Sequence, residues 1–257
     1  EVPLTWRSCS TSGSTGHPKG VALSHRNILS NLIATGSAIG IGPDDVGVSW
    51  LPFHHDMGLI GTLLSALYWG APLVSLSPLE FAKRPGSWLR AISDHRGTLS
   101  PAPNFAFRRC LAIPDDEVRG LDLSSWRVAF NGAEPVDAET LRRFSARFAT
   151  IGFRSRALYP VYGLAEHTLA ISFPPPGAEP RVDRVDRTTL AETSVAVSVH
   201  ADHADAVSIV CVGRPLDGVS VEIRACGAQL PAGHVGEIVV KSPSVMMGYF
   251  QNAAATS

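Results

Sequence analysis

The chain has 257 residues, of which 45% are hydrophobic and 18% are charged, and its formal net charge is −1. This composition is that of a globular protein with a sizeable apolar core, in one large or two modest domains. The near-neutral balance lacks the basic stripe of a nucleic-acid-binding protein. Four cysteines lie far apart without a Cys-x-x-Cys pair, which predicts buried, reduced thiols in a cytoplasmic protein.

Segments typical of helices and strands alternate along the first two-thirds of the chain. Ser24 is placed to cap a helix whose apolar face is Ile28, Leu29, Leu32 and Ile33. Pro85 is placed to open another helix. Strands are predicted at 46–51, 73–76, 126–130 and 156–163. This alternation predicts an α/β fold, a doubly wound, mostly parallel sheet with flanking helices.

Residues 57–79 carry no charge and are long enough to span a membrane. The break at Gly70-Ala-Pro72 favours a buried helix over 58–69 followed by a buried strand, so we expect no stable membrane insertion. The basic-apolar-small order of a signal peptide is also missing.

The pattern changes after residue 171. Residues 172–206 combine consecutive prolines with scattered charges, which predicts an irregular insertion, and the basic cluster Arg181 to Arg187 reads as a solvated loop. Strands are then predicted at 207–213, 219–223 and 236–242. We therefore expect residues 1–171 to form the α/β part and residues 207–257 an antiparallel β subdomain.

The stretch CSTSGSTGHPKG, residues 9–20, is small, polar and flexible. A glycine-rich loop ahead of a helix lets backbone N–H groups converge on an anion, and hydroxyls and Lys19 add donors and charge. The sequence is not a Walker A loop, and the alternative is a flexible linker. We expect a polyphosphate ligand, bound by Thr11, Ser12, Gly13, Ser14, Thr15, Gly16 and Lys19.

Several blocks in fixed order resemble the acyl-adenylate-forming, AMP-binding superfamily over essentially the whole chain. They are TSGSTGHPKGVALSHRNI, LPFHHDMGLIG at 51–61, NGAEPV at 131–136, YGLAE at 162–166, GRPLDGVSVEI and GEIVVKSPSVMMGYF. The blocks at 51–61, 131–136 and 162–166 look most like fatty acyl-AMP ligases. That resemblance implies ATP and Mg²⁺ as cofactors, a fatty acid as substrate, acyl-adenylate and pyrophosphate as products, and an acyl carrier protein as acceptor.

The resemblance also implies roles for individual residues. Tyr162 would stack on adenine and Gly163 would admit the ligand; the alternative for Tyr162 is packing at the base of its loop. Glu166 would bind Mg²⁺, the alternative being an acid at a helix N-terminus. Residues Asn131, Gly132, Ala133 and Glu134 resemble the adenine-binding turn, and an ordinary turn is the alternative.

His55 matches the P-x-x-H-x-x-G block near the carboxylate substrate, whereas His54 stays undecided. Asp56 is placed to orient His55 or a turn. The resemblance thus implies His55, Lys19 and Glu166 as catalytic residues. Residues 102–107, with the helix at 58–69, are expected to line an acyl pocket, and ordinary core is nearly as good an interpretation.

Two features depart from the family pattern. The lead-in LTWRSCS is too polar for a buried central strand, which suggests that residues 1–10 are not the native lead-in. The early large domain and the C-terminal small domain are expected to be absent, which would leave residues 1–257 alone nearly inactive. Alternative functions are a fatty acyl-CoA synthetase and a non-catalytic nucleotide-binding remnant; an amino-acid-selecting domain fits the blocks less well.

Overall fold

The computed structural model of the protein describes residues 5–10, 19–200 and 202–256. As far as residue 110 the elements are β1 (Thr5–Ser10), β2 (Gly20–Ser24), α1 (His25–Ile39), β3 (Gly47–Ser49), α2 (Asp56–Gly58), a π-helical turn (Leu59–Leu64), α3 (Ser65–Trp69), β4 (Leu73–Ser75), α4 (Pro78–Lys83), α5 (Gly86–Asp94), β5 (Leu99–Ala102) and α6 (Asn104–Cys110).

The later helices and strands lie between residues 115 and 256. They are α7 (Asp115–Val118), β6 (Val128–Asn131), α8 (Ala138–Phe148), β7 (Leu158–Pro160), β8 (Tyr162–Gly163), β9 (Ala170–Phe173), β10 (Val182–Asp186), α9 (Arg187–Thr193), β11 (Ala206–Val210), β12 (Arg214–Pro215), β13 (Ser220–Ala225), β14 (Ala228–Gln229), β15 (Glu237–Lys241), β16 (Gly248–Tyr249) and α10 (Ala253–Thr256). Short 3₁₀ turns occupy Ala149–Ile151, Ser155–Ala157 and Ala165–His167.

Five parallel strands form the central sheet, in the order β4-β3-β5-β6-β7. One face packs on α5, α6 and α8 through a cluster that includes Trp88, Phe107 and Phe144. The opposite face contacts α1 through Ile39. Helices therefore cover both faces, and the predicted doubly wound fold is confirmed.

Ser24 caps α1 as predicted. Its Oγ accepts the Asn27 N–H at 3.2 Å, and Asn27 Oδ1 accepts the Ser24 N–H at 2.8 Å, a reciprocal capping box. The apolar face is narrower than predicted, because Ile28 and Leu32 are buried while Leu29 and Ile33 are exposed.

The uncharged stretch 57–79 divides where the sequence indicates. The helical run ends at Trp69, and Gly70 caps it in a left-handed conformation with φ 69° before β4 begins. Within the described part of the chain, the helices are all too short or too polar to cross a membrane.

The lead-in strand β1 does not enter the parallel sheet. It pairs antiparallel with β2 in a three-stranded sheet ordered β1-β2-β16, so β1 is an edge strand. This agrees with the sequence, which is too polar for a buried central strand. An edge strand tolerates the polar sequence because its pairing partner covers only one side.

Residues 172–206 are not irregular throughout, contrary to prediction. They contain β10, which pairs antiparallel with β11, and α9, which Asp186 caps by accepting the Thr189 N–H at 2.7 Å. Most of the basic cluster at 181–187 therefore belongs to β10 and not to a loop, and Arg181, just before the strand, is paired to Asp183. Because charged residues alternate along this segment, its sequence lacks the apolar pattern of a strand. Val185 is nevertheless buried.

The three strands predicted at the end of the chain occur as β11, β13 and β15, but they lie in two separate sheets. Strands β14-β13-β15 form one antiparallel sheet. Cys226 is exposed, contrary to the expectation of buried thiols, because it lies in the tight β13–β14 turn. Cys226 and Gly227 both have positive φ, 48° and 79°, as a two-residue hairpin turn requires.

Candidate active site

A cavity of about 370 Å³ opens at the carboxyl-terminal edge of the parallel sheet. Its floor includes Pro101 of β5, Phe130 of β6 and Val161, which follows β7. Ligands of doubly wound sheets bind at this edge, because the connections there diverge and leave a crevice. Six predicted site residues line the cavity: Lys19, His55, Ala133, Tyr162, Gly163 and Glu166.

Lys19 stands directly before β2 and projects into the cavity. Its Nζ lies 4.9 Å from the centre of the Tyr249 ring, within the range of a cation–π contact. The other predicted phosphate-loop residues, Thr11, Ser12, Gly13, Ser14, Thr15 and Gly16, lie outside the described residues.

Glu166 sits on the 3₁₀ turn between β8 and β9. Its Oε1 accepts a hydrogen bond from the Tyr249 hydroxyl at 2.7 Å. This bond and then burial raise the pKa of Tyr249 to about 12, so the phenol remains a neutral donor at physiological pH. Tyr249 thus stands between the carboxylate and the ammonium of Lys19.

Tyr162 and Gly163 form β8, at the cavity wall. Burial, and then the charge of Glu166, raise the pKa of Tyr162, so its ring is a neutral surface for stacking. Gly163 is needed for the fold itself. A Cβ there would lie 2.0 Å from the carbonyl oxygen of Leu169, so the side-chain position is filled by protein and not by a ligand.

His55 precedes α2, and its Nδ1 lies 2.7 Å from Asp56 Oδ1. The hydrogen bond that the His55 imidazole donates to Asp56 raises the pKa of His55, although partial burial works against it. Asp56 Oδ1 also accepts the Met57 N–H at 2.7 Å, so Asp56 contacts both the imidazole and the turn, the two alternatives that the sequence leaves open. The undecided His54 is exposed and does not line the cavity.

The turn at 131–134 reaches the cavity through Ala133, which has a positive φ of 65°. Asn131 is fully buried and its Nδ2 donates to Asn104 Oδ1 at 3.2 Å. Glu134 accepts a hydrogen bond from the Phe105 N–H. Gly132 packs tightly against Val161, because a Cβ added at Gly132 would lie only 2.8 Å from Val161 Cγ2. These three side-chain positions serve the turn, and none of them lines the cavity.

A smaller cavity adjoins the first one behind the sheet edge. Thr35, Gly61, Pro101 and Phe130 line both cavities, and the inner wall adds apolar positions such as Ala66. Residues from the predicted helix at 58–69 therefore line this smaller cavity. Residues 102–107 line neither cavity, because α6 turns Ala106 and Phe107 into the core on the opposite face of the sheet.

The cavity carries one carboxylate that is suited to Mg²⁺, that of Glu166, beside the Asp56–His55 pair. The described residues contain no group of three or more acidic, histidine or cysteine side chains that would bind a metal by themselves. Mg²⁺ typically takes one or two carboxylates together with substrate phosphates. The residues fit an ion that arrives with a nucleotide.

Sequence reasoning gave no role to Tyr249 or Thr35. Tyr249 lies in the quoted block GEIVVKSPSVMMGYF, but 83 residues separate it from Glu166, and the fold brings the two together. Thr35 lies on α1 among apolar residues and offers no sequence signal; its hydroxyl is buried without a hydrogen-bond partner where the two cavities meet.

The chain is similar in sequence and in fold to known proteins. A medium-chain-fatty-acid–[acyl-carrier-protein] ligase of Teredinibacter turnerae is 40% identical over 94% of this chain, and a long-chain-fatty-acid–AMP ligase of Mycolicibacterium smegmatis is 38% identical over 93%. A solved fatty acyl-adenylate ligase of L. pneumophila, in complex with acyl adenylate and pyrophosphate, matches 96% of the chain with a TM-score of 0.92 and 39% identity.

The chain spans 38% and 39% of the two curated relatives and 44% of the solved structure. The family model described as AMP-binding enzyme matches residues 9–250, which is nearly the whole chain. The chain belongs to the AMP-binding enzyme family.

Proposed function

We propose that the protein containing this chain activates a fatty acid with ATP, forming an acyl-adenylate and pyrophosphate, and then passes the acyl group to a carrier protein. The observation that carries the proposal is the cavity itself, in which a lysine, a histidine, a glutamate and a tyrosine surround a polar space that continues into an apolar one. That combination suits a ligand with a charged nucleotide end and an aliphatic end.

In the proposed reaction, a carboxylate oxygen of the fatty acid attacks the α-phosphorus of ATP. The bond from that phosphorus to the bridging oxygen breaks, and pyrophosphate leaves with the electron pair. Positioning and charge neutralisation supply most of the catalysis of such a transfer, since little covalent chemistry falls to the protein. Mg²⁺, when bound, would neutralise phosphate charge.

Each charged side chain of the cavity has a proposed part. Lys19 draws the phosphates towards the loop that precedes it, and Glu166 holds the metal. His55, whose pKa Asp56 raises, donates a hydrogen bond to the carboxylate of the acid. Tyr162 stacks on the adenine ring beside the turn at 131–134. The apolar inner cavity receives the acyl chain.

The proposal also specifies the molecule that accepts the acyl group. The Teredinibacter turnerae relative is a ligase for an acyl-carrier protein, which supports a carrier protein over coenzyme A. The full-length protein should therefore acylate a carrier protein in the presence of ATP and a fatty acid. A coenzyme A thioester as the main product would favour an acyl-CoA synthetase instead.

Pyrophosphate release by the full-length protein tests the site. Lys19→Ala and Glu166→Gln should each lower kcat/KM by about 10²–10³, the usual cost of losing one group that stabilises developing charge. Glu139→Gln on the exposed surface of α8 is the matched control and should leave the rate unchanged. Unchanged rates in both site variants would remove the assignment, and absence of ATP binding would support a non-catalytic remnant.

A further inference from the structure

We propose that Tyr249 is a positioning residue for Glu166, and that residues 242–250 hold the Glu166 turn (residues 165–169) in its working geometry. The inference rests on the proposed metal role of Glu166. It adds to that role the Tyr249 hydroxyl, which fixes the Glu166 carboxylate, and residues 242–250, which carry Tyr249.

The hydroxyl of Tyr249 bonds one carboxylate oxygen of Glu166 and leaves the other without this constraint. The donor approaches Oε1 at 2.7 Å. The same ring lies beneath the Lys19 ammonium at 4.9 Å, so one side chain contacts both charged groups of the cavity. Because a glutamate has three rotatable bonds, a fixed oxygen greatly narrows the positions that the second oxygen samples.

The Glu166 turn is also held along its backbone by residues 242–250. The Met246 N–H donates to the Glu166 carbonyl at 2.8 Å, and the Thr168 hydroxyl donates to the Ser244 carbonyl at 2.7 Å. Ser242 Oγ lies 2.6 Å from His167 Nε2. Three consecutive residues of the turn therefore each contact this one segment.

Thr168 shows why the turn needs support. It has φ 69° and ψ −56°, and the Leu169 N–H donates to the His167 carbonyl across it at 2.7 Å, which makes a γ-turn of the strained form. Strain in a fully buried, β-branched residue persists only where its surroundings enforce it, and such sites cluster in functional regions. Here the enforcing contact is the bond to Ser244.

The same segment reaches the phosphate-loop side of the cavity. The Phe250 N–H donates to the Gly20 carbonyl at 2.7 Å and the Met247 N–H to the Ala22 carbonyl at 2.9 Å. Residues 242–250 thus join β2, which follows Lys19, to the turn that carries Glu166. This connection sets the separation of the two charges across the cavity.

Tyr249→Phe in the full-length protein tests the proposal, since it deletes only the hydroxyl. Tyr159→Phe is the matched control, because it deletes a hydroxyl bonded at 2.6 Å to the Pro174 carbonyl, outside the cavity lining. We expect Tyr249→Phe to lower kcat and raise the half-saturating Mg²⁺ concentration, each about tenfold, as one hydrogen bond to a charged group supports. Tyr159→Phe should change only thermal stability.

Calorimetric titration with ATP, in saturating Mg²⁺ and in chelator, gives a readout independent of turnover. The Mg²⁺-dependent gain in ATP affinity should shrink in Tyr249→Phe and in Glu166→Gln. Thr168→Val should reproduce part of the loss, and Thr168→Ser, which keeps the hydroxyl, should restore it.

Two results would overturn the inference in different ways. The first is that Glu166→Gln loses rate and Mg²⁺-dependent ATP affinity while Tyr249→Phe loses neither, or that Tyr249→Phe binds ATP more tightly in Mg²⁺. Either outcome removes the positioning role of Tyr249 and leaves the proposed function standing. A Glu166→Gln variant that keeps both the rate and the Mg²⁺-dependent gain removes the metal role and the inference together.

Discussion

Arg127 binds both carboxylate oxygens of Asp45. Its Nε donates to Oδ1 at 2.7 Å and its Nη2 to Oδ2 at 2.6 Å. Asp45 is buried, and it also accepts bonds from the Thr98 hydroxyl and the Gly42 N–H. The pair joins the loop before β3 to the approach of β6, so it links the two strands that flank β5 in the central sheet.

Asp45→Asn should destabilise the protein by about 2 kcal/mol, because Arg127 loses a bidentate, charge-assisted partner. Burial works to raise the pKa of Asp45, but the bonds from Arg127, Thr98 and Gly42 hold it below its ordinary value. The stability from this lowered pKa is thus present above the usual aspartate range, near 4, and is lost as pH falls through the folded-state pKa. Urea unfolding at several pH values should show the two proteins converging in acid; a constant difference would contradict this account.

Gly163→Ala should cost several kcal/mol of unfolding free energy and abolish activity. The new Cβ would stand 2.0 Å from the Leu169 carbonyl oxygen, so β8 and β9 would have to separate. Gly42→Ala is the matched control, since nothing lies within 4 Å of its added Cβ. Chemical denaturation of both variants makes the comparison, and equal stabilities would refute the close approach.

Asp56→Asn should lower the pKa of His55. The hydrogen bond and charge of Asp56 favour the imidazolium, so the wild-type residue keeps its proton to a higher pH than an ordinary histidine, near 6.5. NMR titration of the imidazole signals reports the midpoint directly. As the control, His54→Gln removes the signal of the neighbouring exposed histidine and should leave the titration midpoint of His55 in place. An unshifted His55 midpoint in Asp56→Asn would exclude the pairing of Asp56 with His55.

Ala66→Phe should shorten the range of fatty acids that the enzyme accepts. Ala66 lines the inner cavity, and each methylene excluded from it forfeits about 0.8 kcal/mol of burial. The ratio of kcat/KM for long against short acids should fall at least tenfold. Leu67→Phe, one position on and exposed to solvent, is the control. If the ratio of kcat/KM for long against short acids is the same in both variants, the inner cavity does not bind the acyl chain.

Residues close together in sequence allowed the most reliable predictions. The Ser24 cap, the break at Gly70 and the alternation that makes a parallel sheet depend on local hydrogen bonds and hydrophobic period, so composition and spacing suffice. The family blocks added Lys19, His55, Tyr162 and Glu166, and these four line one cavity. The domain boundaries at 171 and 206 stay predictions.

The clearest error arose where a strand pairs with a segment further along the chain. β10 was predicted as a loop because its partner β11 begins 20 residues after β10 ends. That pairing leaves no local signal in the sequence. Strand pairing depends on which backbones lie adjacent, and this is a property of the whole topology.

The sequence by itself determined the α/β class of the fold, and it predicted the chemistry of the site: a phosphate-type loop ending in Lys19 and the carboxylate of Glu166 after Tyr162-Gly163. Only the tertiary structure decided that Tyr249 reaches across 83 residues to bond Glu166 and that Gly163 serves chain packing. The physical reason is that residue type fixes the chemistry of a group, whereas the hydrogen bonds that aim that group come from whichever strands the fold brings beside it.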